Sequence, residues 1–468
     1  MEQQEIVYDV AVIGSGPGGY VAAIRAGQLG LKTVVVEKDK ALGGTCLHVG
    51  CIPTKALLYT AELLDKLKHA RELGIVVEGV RLDWPTLQKR KERVVRRLAA
   101  GIDFLFKKNN VETMRGFGSI LAPGKVEVKG DDGVKTVLAS NIIVATGSVP
   151  RSIPGVEIDG RLVLANDQIL SLPAPPGSLV IIGAGAVGVE FASMFASFGT
   201  KVTLIEMLPR LLPVEDEEVS EALDKAFKKR GIETLTATRV EEVKREEDAV
   251  TVTFTTPDGE TGVRTAEKLL MAVGRKPRTQ GIGLERVGIQ TEKDFVPVNG
   301  FMETSAPNVF AIGDIVPSQQ LAHVGSAEGI LAVERIAGLE VMPINYQHMP
   351  SCTYCSPEVA SVGITEVTAK EKGYEVRVGR FPFSANSKAS ILDEREGFVK
   401  VVSEGKYDEL LGVHIIGPHA TDLIAEAVVA LEHEATVQSL MRTVHAHPTL
   451  SESVMEAAHA AEGKAIHV

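Results

Sequence analysis

The sequence predicts an α/β protein with two similar nucleotide-binding units in series and a C-terminal α+β domain. A glycine-rich turn between an apolar strand and an alanine-rich helix occurs twice, at 14–19 and at 183–188, and such repetition indicates two related domains. Beyond Pro343 the apolar residues alternate with polar ones, which is typical of antiparallel strands. The chain has 468 residues, enough for roughly three domains of about 150 residues each.

The first unit begins with the apolar segment 8–13, which predicts a strand. A Gly-x-Gly-x-x-Gly turn follows, then a predicted helix over 20–29 and a second strand over 32–36. In such a turn the first glycine permits the tight bend, the second lets the backbone approach a pyrophosphate, and the third lets helix and strand pack closely. These positions are Gly14, Gly16 and Gly19, and Glu37 stands eighteen positions beyond Gly19, where it can accept a hydrogen bond from a ribose hydroxyl.

The same order of elements returns in the second unit. A strand over 178–182 leads into a turn with Gly183, Gly185 and Gly188, a helix is predicted over 189–198, and the strand 201–205 ends just before Glu206. The acid again lies eighteen positions beyond the third glycine. One such turn is a weak signal, because glycine turns before helices are common, but two complete units with matching acids predict two dinucleotide sites.

An apolar strand that runs into a glycine turn follows each unit, at 141–147 and at 268–275. A further strand, 308–314, ends at Asp314 and precedes a predicted helix around 328–336. An acid at this place suits a ribose or ribitol hydroxyl. A turn-forming Gly-Asp pair is at least as good an interpretation of these residues alone.

The C-terminal region has a different pattern. Segments 359–363, 374–381, 397–402 and 410–416 alternate as antiparallel strands do, and 421–432 predicts a helix. They form a separate α+β domain of about 120 residues, within the usual range of domain sizes.

Composition excludes several classes of function. Hydrophobic residues make up 44% of the chain and charged residues 24%, and no apolar run approaches the ~20 residues that cross a bilayer. The net charge of −11 disfavours binding to nucleic acid and to anionic lipid. The first five residues are polar and acidic, without the features of a signal peptide, so we expect a cytoplasmic location. Lys89-Arg90-Lys91 stands among glutamates, and we expect it to be a solvated helix face.

Two of the four cysteines, Cys46 and Cys51, lie five positions apart in the glycine-containing segment 43–55. A redox-active disulfide requires one sulfur that a thiolate can attack and another whose thiolate is stabilised, for example at the start of a helix. The glycines of this segment allow a thiolate to approach one sulfur, and the helix predicted around Pro53 can place the other sulfur near a helix start. Two unconnected buried cysteines are the alternative from these residues alone. The other pair, Cys352-x-x-Cys355, lacks further zinc ligands nearby, and we expect a structural role for it.

A histidine and an acid follow in the last domain, at His447 and Glu452. An imidazole can take a thiol proton, and a nearby carboxylate can fix its tautomer. A surface histidine followed by a helix-capping acid is otherwise the more common explanation. The cysteine pair beside a dinucleotide unit makes the catalytic interpretation preferable.

With these segments the chain resembles the flavin-dependent pyridine nucleotide–disulfide oxidoreductases over essentially its whole length, and among them those that oxidise dihydrolipoamide. The resemblance implies FAD in the first unit, NAD in the second and a homodimer formed by the last domain. It implies that dihydrolipoamide attacks Cys46, that Cys51 faces the flavin, and that His447 and Glu452 of one subunit reach the disulfide of the other. The implied partners are the lipoyl domains of a 2-oxo acid dehydrogenase complex or of the glycine cleavage system.

The predicted division is 1–149 for FAD, 150–275 for NAD, 276–345 to complete the FAD domain and 346–468 for the interface. Lys55 is expected near the flavin ring and paired with Glu190. Besides the turn glycines and the two acids, the predicted cofactor contacts are Gly44, Thr45, Lys55, Gly116, Thr146, Gly147, Ser148, Glu190, Gly274, Asp314, Leu321, Ala322 and His323. No metal site is predicted.

Glu206 favours NAD over NADP, because its carboxylate would repel a 2′-phosphate and accept from a free 2′-hydroxyl. Arg210 could bind phosphate and is the weaker signal. A glutathione-reductase-like enzyme predicts basic residues at 206, and a mercuric-reductase-like enzyme predicts two cysteines at the C-terminus; the sequence has neither. A flavin-carrying subunit without turnover is the remaining alternative. His48 departs from the asparagine frequent in this family, and we expect it to replace the hydrogen bond of that amide.

Overall fold

The computed structural model describes residues 7–468. Within them the chain falls into two compact units. The first contains the chain up to Ala56 together with Thr86–Arg151 and Arg275–Tyr346, and the second contains Leu57–Pro85, Ser152–Gly274 and Gln347–Val468. The α/β class predicted from the sequence is confirmed.

The described residues form the following strands and helices. The strands are β1 (Val7–Ile13), β2 (Thr33–Glu37), β3 (Glu112–Arg115), β4 (Phe117–Ala122), β5 (Lys125–Gly130), β6 (Gly133–Val144), β7 (Ser148–Pro150), β8 (Val163–Leu164), β9 (Ser178–Ile182), β10 (Lys201–Ile205), β11 (Glu233–Leu235), β12 (Arg239–Arg245), β13 (Val250–Thr255), β14 (Thr261–Ala266), β15 (Lys268–Met271), β16 (Arg275–Pro277), β17 (Val309–Ala311), β18 (Ser351–Thr353), β19 (Glu358–Gly363), β20 (Val376–Pro382), β21 (Phe398–Glu404) and β22 (Leu410–Gly417). The α-helices are α1 (Pro17–Gln28), α2 (Gly44–Val49), α3 (Cys51–Lys68), α4 (Trp84–Lys108), α5 (Asn166–Ile169), α6 (Ala186–Ser197), α7 (Glu217–Lys229), α8 (Ala322–Ile336), α9 (Glu366–Glu371), α10 (Ser387–Leu392), α11 (Ala420–Glu432), α12 (Val437–Arg442) and α13 (Glu452–Ala461).

The first unit is built on a seven-stranded sheet in the order β3-β2-β1-β6-β5-β4, with β17 also paired to β6. Strands β3, β2, β1, β6 and β17 are parallel, so their carboxyl ends meet at one edge. Successive residues of β1 pack into hydrophobic cores on opposite faces of the sheet. Val10 and Val12 belong to the core that includes α1, and Ala11 and Ile13 belong to the core on the other face. This burial on both faces explains the continuous apolar runs in the sequence.

The second unit contains three sheets. The parallel sheet β11-β10-β9-β15-β8 repeats the strand–turn–helix order of the first unit, and β12-β13-β14 is a separate antiparallel sheet. The C-terminal sheet, β18-β19-β22-β21-β20, is antiparallel throughout and is covered by apolar residues of α11 and α13. The predicted α+β character of this region is thereby confirmed.

The expectation of a solvated face for Lys89-Arg90-Lys91 is wrong at Lys91. Lys89 is exposed, but Lys91 is only 7% exposed in α4 and bonds to Gln88, and burial lowers the pKa of its ammonium. Charge alone cannot identify a solvated face, because a lysine stem can be covered by tertiary packing.

Candidate redox and nucleotide-binding site

The two glycine-rich turns have closely matching geometry. Gly14 and Gly183, with φ of +105° and +101°, lie so near the end of the neighbouring strand that a Cβ would be 2.3 or 2.4 Å from a carbonyl oxygen. A Cβ on Gly19 or Gly188 would be 2.0 or 1.9 Å from the carbonyl of the first glycine in its own turn. The tight bend and the close packing therefore require glycine at both ends of each turn.

The middle glycine of each turn faces open space instead. A Cβ on Gly16 or Gly185 would meet no atom within 4 Å. Each is the N-cap of a 12-residue helix, α1 or α6, whose first N–H groups have no acceptor inside the helix. This open space at a positive helix end fits a pyrophosphate.

Glu37 and Glu206 hold their turns by the same pair of bonds. Oε2 of Glu37 accepts from the N–H of Ser15 at 2.9 Å, and Oε2 of Glu206 accepts from the N–H of Ala184 at 2.6 Å. In both, Oε1 accepts from the N–H two positions further along the chain, at 2.9 and 2.8 Å. Each oxygen can accept more than one bond, so each carboxylate can also receive a ribose hydroxyl beside the turn.

The cysteine segment is two helices separated by a glycine. Cys46 lies within α2, Gly50 ends that helix, and Cys51 is the first residue of the 18-residue α3. A Cβ on Gly50 would lie 2.9 Å from the carbonyl oxygen of Thr45, so only glycine allows the two helices to turn this tightly. The carbonyl of Gly50 then accepts from both N–H and Oγ1 of Thr54 at 3.1 and 2.7 Å.

The side chains of Cys46 and Cys51 are hydrogen-bonded to each other. This bond, burial and the charge of a Cys51 thiolate together raise the pKa of Cys46, whereas the Lys55 ammonium opposes the rise. Cys51 stands at the start of α3, where the positive end of the helix stabilises a negative charge.

The cysteine segment packs directly on the first glycine-rich turn. Gly44 has φ of +61° and lies so close to Gly16 that a Cβ on Gly44 would be 2.6 Å from the Cα of Gly16. The N–H of Gly43 donates to the carbonyl of Ser15 at 3.0 Å. His48 fixes the same segment through Nε2, which is 2.8 Å from the carbonyl oxygen of Leu42.

Asp314 follows β17 and is held through one carboxylate oxygen. The Ser148 hydroxyl donates to Oδ2 of Asp314 and accepts from Nε of Arg275 at 2.6 Å. That Arg275 nitrogen is also 3.7 Å from Oδ2. These contacts leave Oδ1 to accept from a ligand hydroxyl.

The turn before Asp314 is fixed by a buried acid of α8. Oε2 of Glu328 accepts from the N–H of Gly313 at 2.6 Å, and Oε1 accepts from the hydroxyl of Tyr346 at 2.9 Å. Burial raises the pKa of Glu328 against these bonds. The sequence did not identify three residues that fix this site: Glu328, Tyr346 and Arg275. The only signal in the sequence is for Glu328, an acid that stands among the apolar residues of α8.

The other predicted contacts of the first unit lie at its parallel strand ends or nearby. Thr146 bonds through Oγ1 to the carbonyl of Arg278 at 2.7 Å, and Gly147, at φ +70°, has open space at its Cβ position. Leu321 is the N-cap of α8, with Ala322 and His323 as its first residues. A Cβ on Gly116, by contrast, would lie 2.7 Å from the carbonyl oxygen of Lys129, so a structural reason for glycine exists there.

Gly274 and Glu190 belong to the second unit. Gly274 has φ of +99° and open space at its Cβ position. Glu190 is buried in α6, and its Oε1 accepts from the N–H of Tyr354 at 3.0 Å. The pairing of Glu190 with Lys55 stays a prediction. Arg210 is paired with Glu217 at 2.5 Å.

His447 and Glu452 meet as the sequence predicts. Nδ1 of His447 is 2.9 Å from Oε1 of Glu452, and Oε2 of Glu452 accepts from the N–H of Thr449 at 2.8 Å. The His447 side chain is 69% exposed. Burial raises the pKa of Glu452, but the Thr449 amide and His447 outweigh it and hold that pKa below its ordinary value.

Cys355 is buried near Pro357, whose carbonyl oxygen is 3.0 Å from Sγ, and burial raises the pKa of its thiol. Sγ of Cys352 instead lies 4.0 Å from the carbonyl oxygen of Thr421. The structural role expected for this pair stays a prediction. Among residues 7–468, no cluster of three or more possible metal ligands was found, and no helix there is long and apolar enough to cross a bilayer.

Two family models match most of the chain. The model described as pyridine nucleotide-disulphide oxidoreductase covers residues 8–329, and the dimerisation domain of the same family covers 349–458. This chain belongs to the pyridine nucleotide-disulphide oxidoreductases.

Full-length relatives support the same family. The chain is 46% identical over 471 residues to a dihydrolipoyl dehydrogenase of Bacillus subtilis, with 98% of this chain and 99% of that protein covered. It is 42% identical to the mitochondrial dihydrolipoyl dehydrogenase of Pisum sativum, with 98% and 92% covered. It is also 42% identical to a protein of Glycine max named leghemoglobin reductase, with 97% and 88% covered.

A solved structure shares the whole fold. LpdA from Mycobacterium tuberculosis superposes with a TM-score of 0.89 at 29% identity, covering 96% of this chain and 99% of that one. The family uses FAD and NAD, and the two open glycine turns of this pyridine nucleotide-disulphide oxidoreductase fit the pyrophosphates of two dinucleotides.

Proposed function

We propose that this protein is a dihydrolipoyl dehydrogenase: it oxidises protein-bound dihydrolipoamide to lipoamide and reduces NAD to NADH. The observation that carries the proposal is the hydrogen-bonded pair Cys46 and Cys51, with Cys51 at the start of α3 and the whole segment packed on the first glycine-rich turn. A dithiol placed there can pass electrons to a cofactor bound at that turn. The names of relatives that match nearly the whole chain agree.

The reaction begins with the disulfide form of the pair. A dihydrolipoamide thiolate attacks Cys46, a bond forms between those sulfurs, and the Cys46–Cys51 bond breaks with Cys51 leaving as thiolate. The second lipoyl thiolate then attacks the lipoyl sulfur bound to Cys46, which releases lipoamide and leaves Cys46 and Cys51 reduced. The first glycine-rich turn, with Gly14, Gly16 and Gly19, would hold FAD, which would supply the two-electron chemistry that links the dithiol to hydride formation on NAD.

His447 is the base that removes the thiol protons. Its Nδ1–H donates to the Glu452 carboxylate, which leaves Nε2 to accept a proton. Because Glu452 is itself fixed by the Thr449 amide, the ring is held in one tautomer and one orientation. The exposure of His447 suits a base that serves the disulfide of a second subunit, and the homodimer follows from the family dimerisation domain.

NAD is the nucleotide expected at the second turn. Glu206 stands at the end of β10 with its carboxylate bound to the turn, where a 2′-phosphate would meet a negative charge. Arg210, the residue that could have favoured NADP, is engaged by Glu217.

The partners proposed are lipoyl domains of acyltransferase subunits in 2-oxo acid dehydrogenase complexes, or of the glycine cleavage system. A cytoplasmic location is proposed with them, because four cysteines in 468 residues suit a reducing compartment in which a disulfide is catalytic.

The test is NADH formation by the FAD-loaded protein given dihydrolipoamide and NAD, run beside NADP and beside NADPH with oxidised glutathione. We expect rapid NADH formation with NAD only. Turnover of glutathione would instead identify a reductase of another disulfide, and no turnover with FAD bound would support a subunit without catalysis.

A further inference from the structure

A second histidine lies on the same loop as His447, between α12 and α13, in opposite surroundings. The side chain of His445 is only 6% exposed, whereas that of His447 is 69% exposed and the residue before His445, Val444, is 93% exposed. His445 is therefore the side chain that turns inward from an otherwise exposed stretch of chain.

Both ring nitrogens of His445 are engaged. Nε2 lies 2.6 Å from Oε1 of Glu426 on α11, and Nδ1 lies 2.9 Å from the carbonyl oxygen of Thr443. A carbonyl oxygen can only accept, so Nδ1 donates to Thr443, and Nε2 forms its hydrogen bond with the Glu426 carboxyl group. Hydrogen bonds to a carboxylate are shorter and stronger than those between neutral groups, so the bond between His445 and Glu426 holds the ring firmly.

The other end of the loop is also tied down. The buried Asn386 donates from Nδ2 to the carbonyl of Thr449 and to the hydroxyl of Ser453, both at 3.0 Å. The Thr449 hydroxyl donates to the carbonyl of Ala446 at 2.8 Å. The loop is therefore fixed on both sides of His447: before it by the contacts of the His445 ring, and after it by the contacts of Thr449.

We propose that His445 and Glu426 are positioning residues that hold the loop so that His447 presents its outer nitrogen to the reacting thiol. The proposal rests on the function proposed above. His445 does not touch the substrate; it acts through the backbone of Ala446 and through the direction that backbone gives to His447.

The experiment uses the FAD-loaded dimer and the variants His445→Ala, Glu426→Gln and His445→Ala with Glu426→Ala. His348→Ala is the matched control, because His348 pairs with Glu432 of the same helix at 2.9 Å and lies outside the loop. Two activities are measured: kcat/KM for dihydrolipoamide, and NADH oxidation by an artificial acceptor, which needs no thiol exchange.

We expect His445→Ala to lower kcat/KM for dihydrolipoamide about 10- to 100-fold, since a displacement of ~1 Å of a reacting group can cost about 100-fold. Oxidation of NADH by the artificial acceptor should stay unchanged. Glu426→Gln keeps an acceptor oxygen and should lose about 5-fold, and the double variant should be no worse than His445→Ala because the two residues act as one pair.

The pH profile separates positioning from a direct electrostatic effect. His445 faces Glu426 from α11, and Glu452 of α13 and His447 are its other titratable neighbours. If His445 acts by positioning, His445→Ala should lower kcat/KM for dihydrolipoamide at every pH and leave the midpoint pH of the profile unchanged. A displaced midpoint would overturn the proposal.

Two other results would also overturn the inference: an unchanged kcat/KM in His445→Ala, or an equal fall in both activities. A wild-type protein that does not turn over dihydrolipoamide would instead remove the proposed function, so the two failures are distinguishable.

Discussion

Replacing Glu452 by glutamine tests the role of its carboxylate at nearly constant volume. In the wild type one oxygen accepts from His447 and the other accepts from the N–H of Thr449. A glutamine amide has only one accepting oxygen. If it serves Thr449, its NH2 group faces Nδ1 and forces the proton of the ring onto Nε2, where the thiol proton should be received. If it serves His447, the NH2 group opposes the Thr449 N–H.

Either orientation of the glutamine loses one hydrogen bond to a charged acceptor, and such a bond contributes about 1.5–3 kcal/mol of free energy. At 1.4 kcal/mol per tenfold change this corresponds to a fall of about 10- to 150-fold in kcat/KM for dihydrolipoamide. Glu456→Gln is the matched control, because Glu456 lies on the same helix and likewise receives a histidine, His467 at 2.7 Å, and a backbone N–H, that of Ile466 at 3.3 Å.

The assay is steady-state NADH formation, with acid unfolding as a second measurement. The pKa of Glu452 lies below its ordinary value of 4.5 in the folded chain. Its carboxylate therefore stabilises the fold above about pH 4.5, and this contribution is lost as the pH falls through the folded-state pKa. The stability difference between wild type and Glu452→Gln should shrink below that pH. A Glu452→Gln rate within twofold of wild type, or an equal loss in Glu456→Gln, would refute this account of the pair.

Three further changes have expected results. Gly188→Ala would place a Cβ 1.9 Å from the carbonyl of the first glycine, whereas Gly185→Ala meets no atom within 4 Å; we expect the first to unfold the second turn and the second to fold normally but bind NAD weakly, as circular dichroism and NAD titration would show. Glu206→Ala should raise KM for NAD about 10-fold, from the loss of one charge-assisted bond, and leave turnover with an artificial acceptor at saturating NADH unchanged. Lys400→Met should destabilise the protein by about 3–5 kcal/mol, measured by denaturant unfolding, because the Lys400 side chain is only 2% exposed and contacts three carboxylates. One of these, Glu218, has its pKa lowered to about 2 chiefly by Arg380 together with Lys400, so its contribution is present above about pH 4.5 and is lost as the pH falls toward 2.

The nucleotide turns could be predicted from sequence because each constraint there is local. The glycines at 14 and 19 are required by carbonyl oxygens only 2.3 and 2.0 Å from a Cβ position, and no other residue type fits. The spacing to Glu37 is likewise fixed by one helix and one strand. The pair His447 and Glu452 was found for the same reason, since five positions separate them.

The contacts that fix Asp314 could not be predicted in this way. Ser148 is 166 positions from Asp314, and Arg275 is 127 positions from Ser148. Neither has a periodic pattern around it that indicates a partner. The three-stranded sheet β12-β13-β14 was missed for another reason: β12 is largely exposed and charged, so it lacks the apolar alternation by which strands are recognised.

The central claim is that Cys46 and Cys51 are the dithiol that exchanges electrons with the substrate. The most direct measurement is differential alkylation of the FAD-loaded protein before and after anaerobic treatment with dihydrolipoamide, with each cysteine followed by peptide mass spectrometry. The account predicts that Cys46 and Cys51 change from blocked to alkylated while Cys352 and Cys355 do not change. A change confined to Cys352 and Cys355, or no change at Cys46 and Cys51 while NADH is being formed, would contradict it.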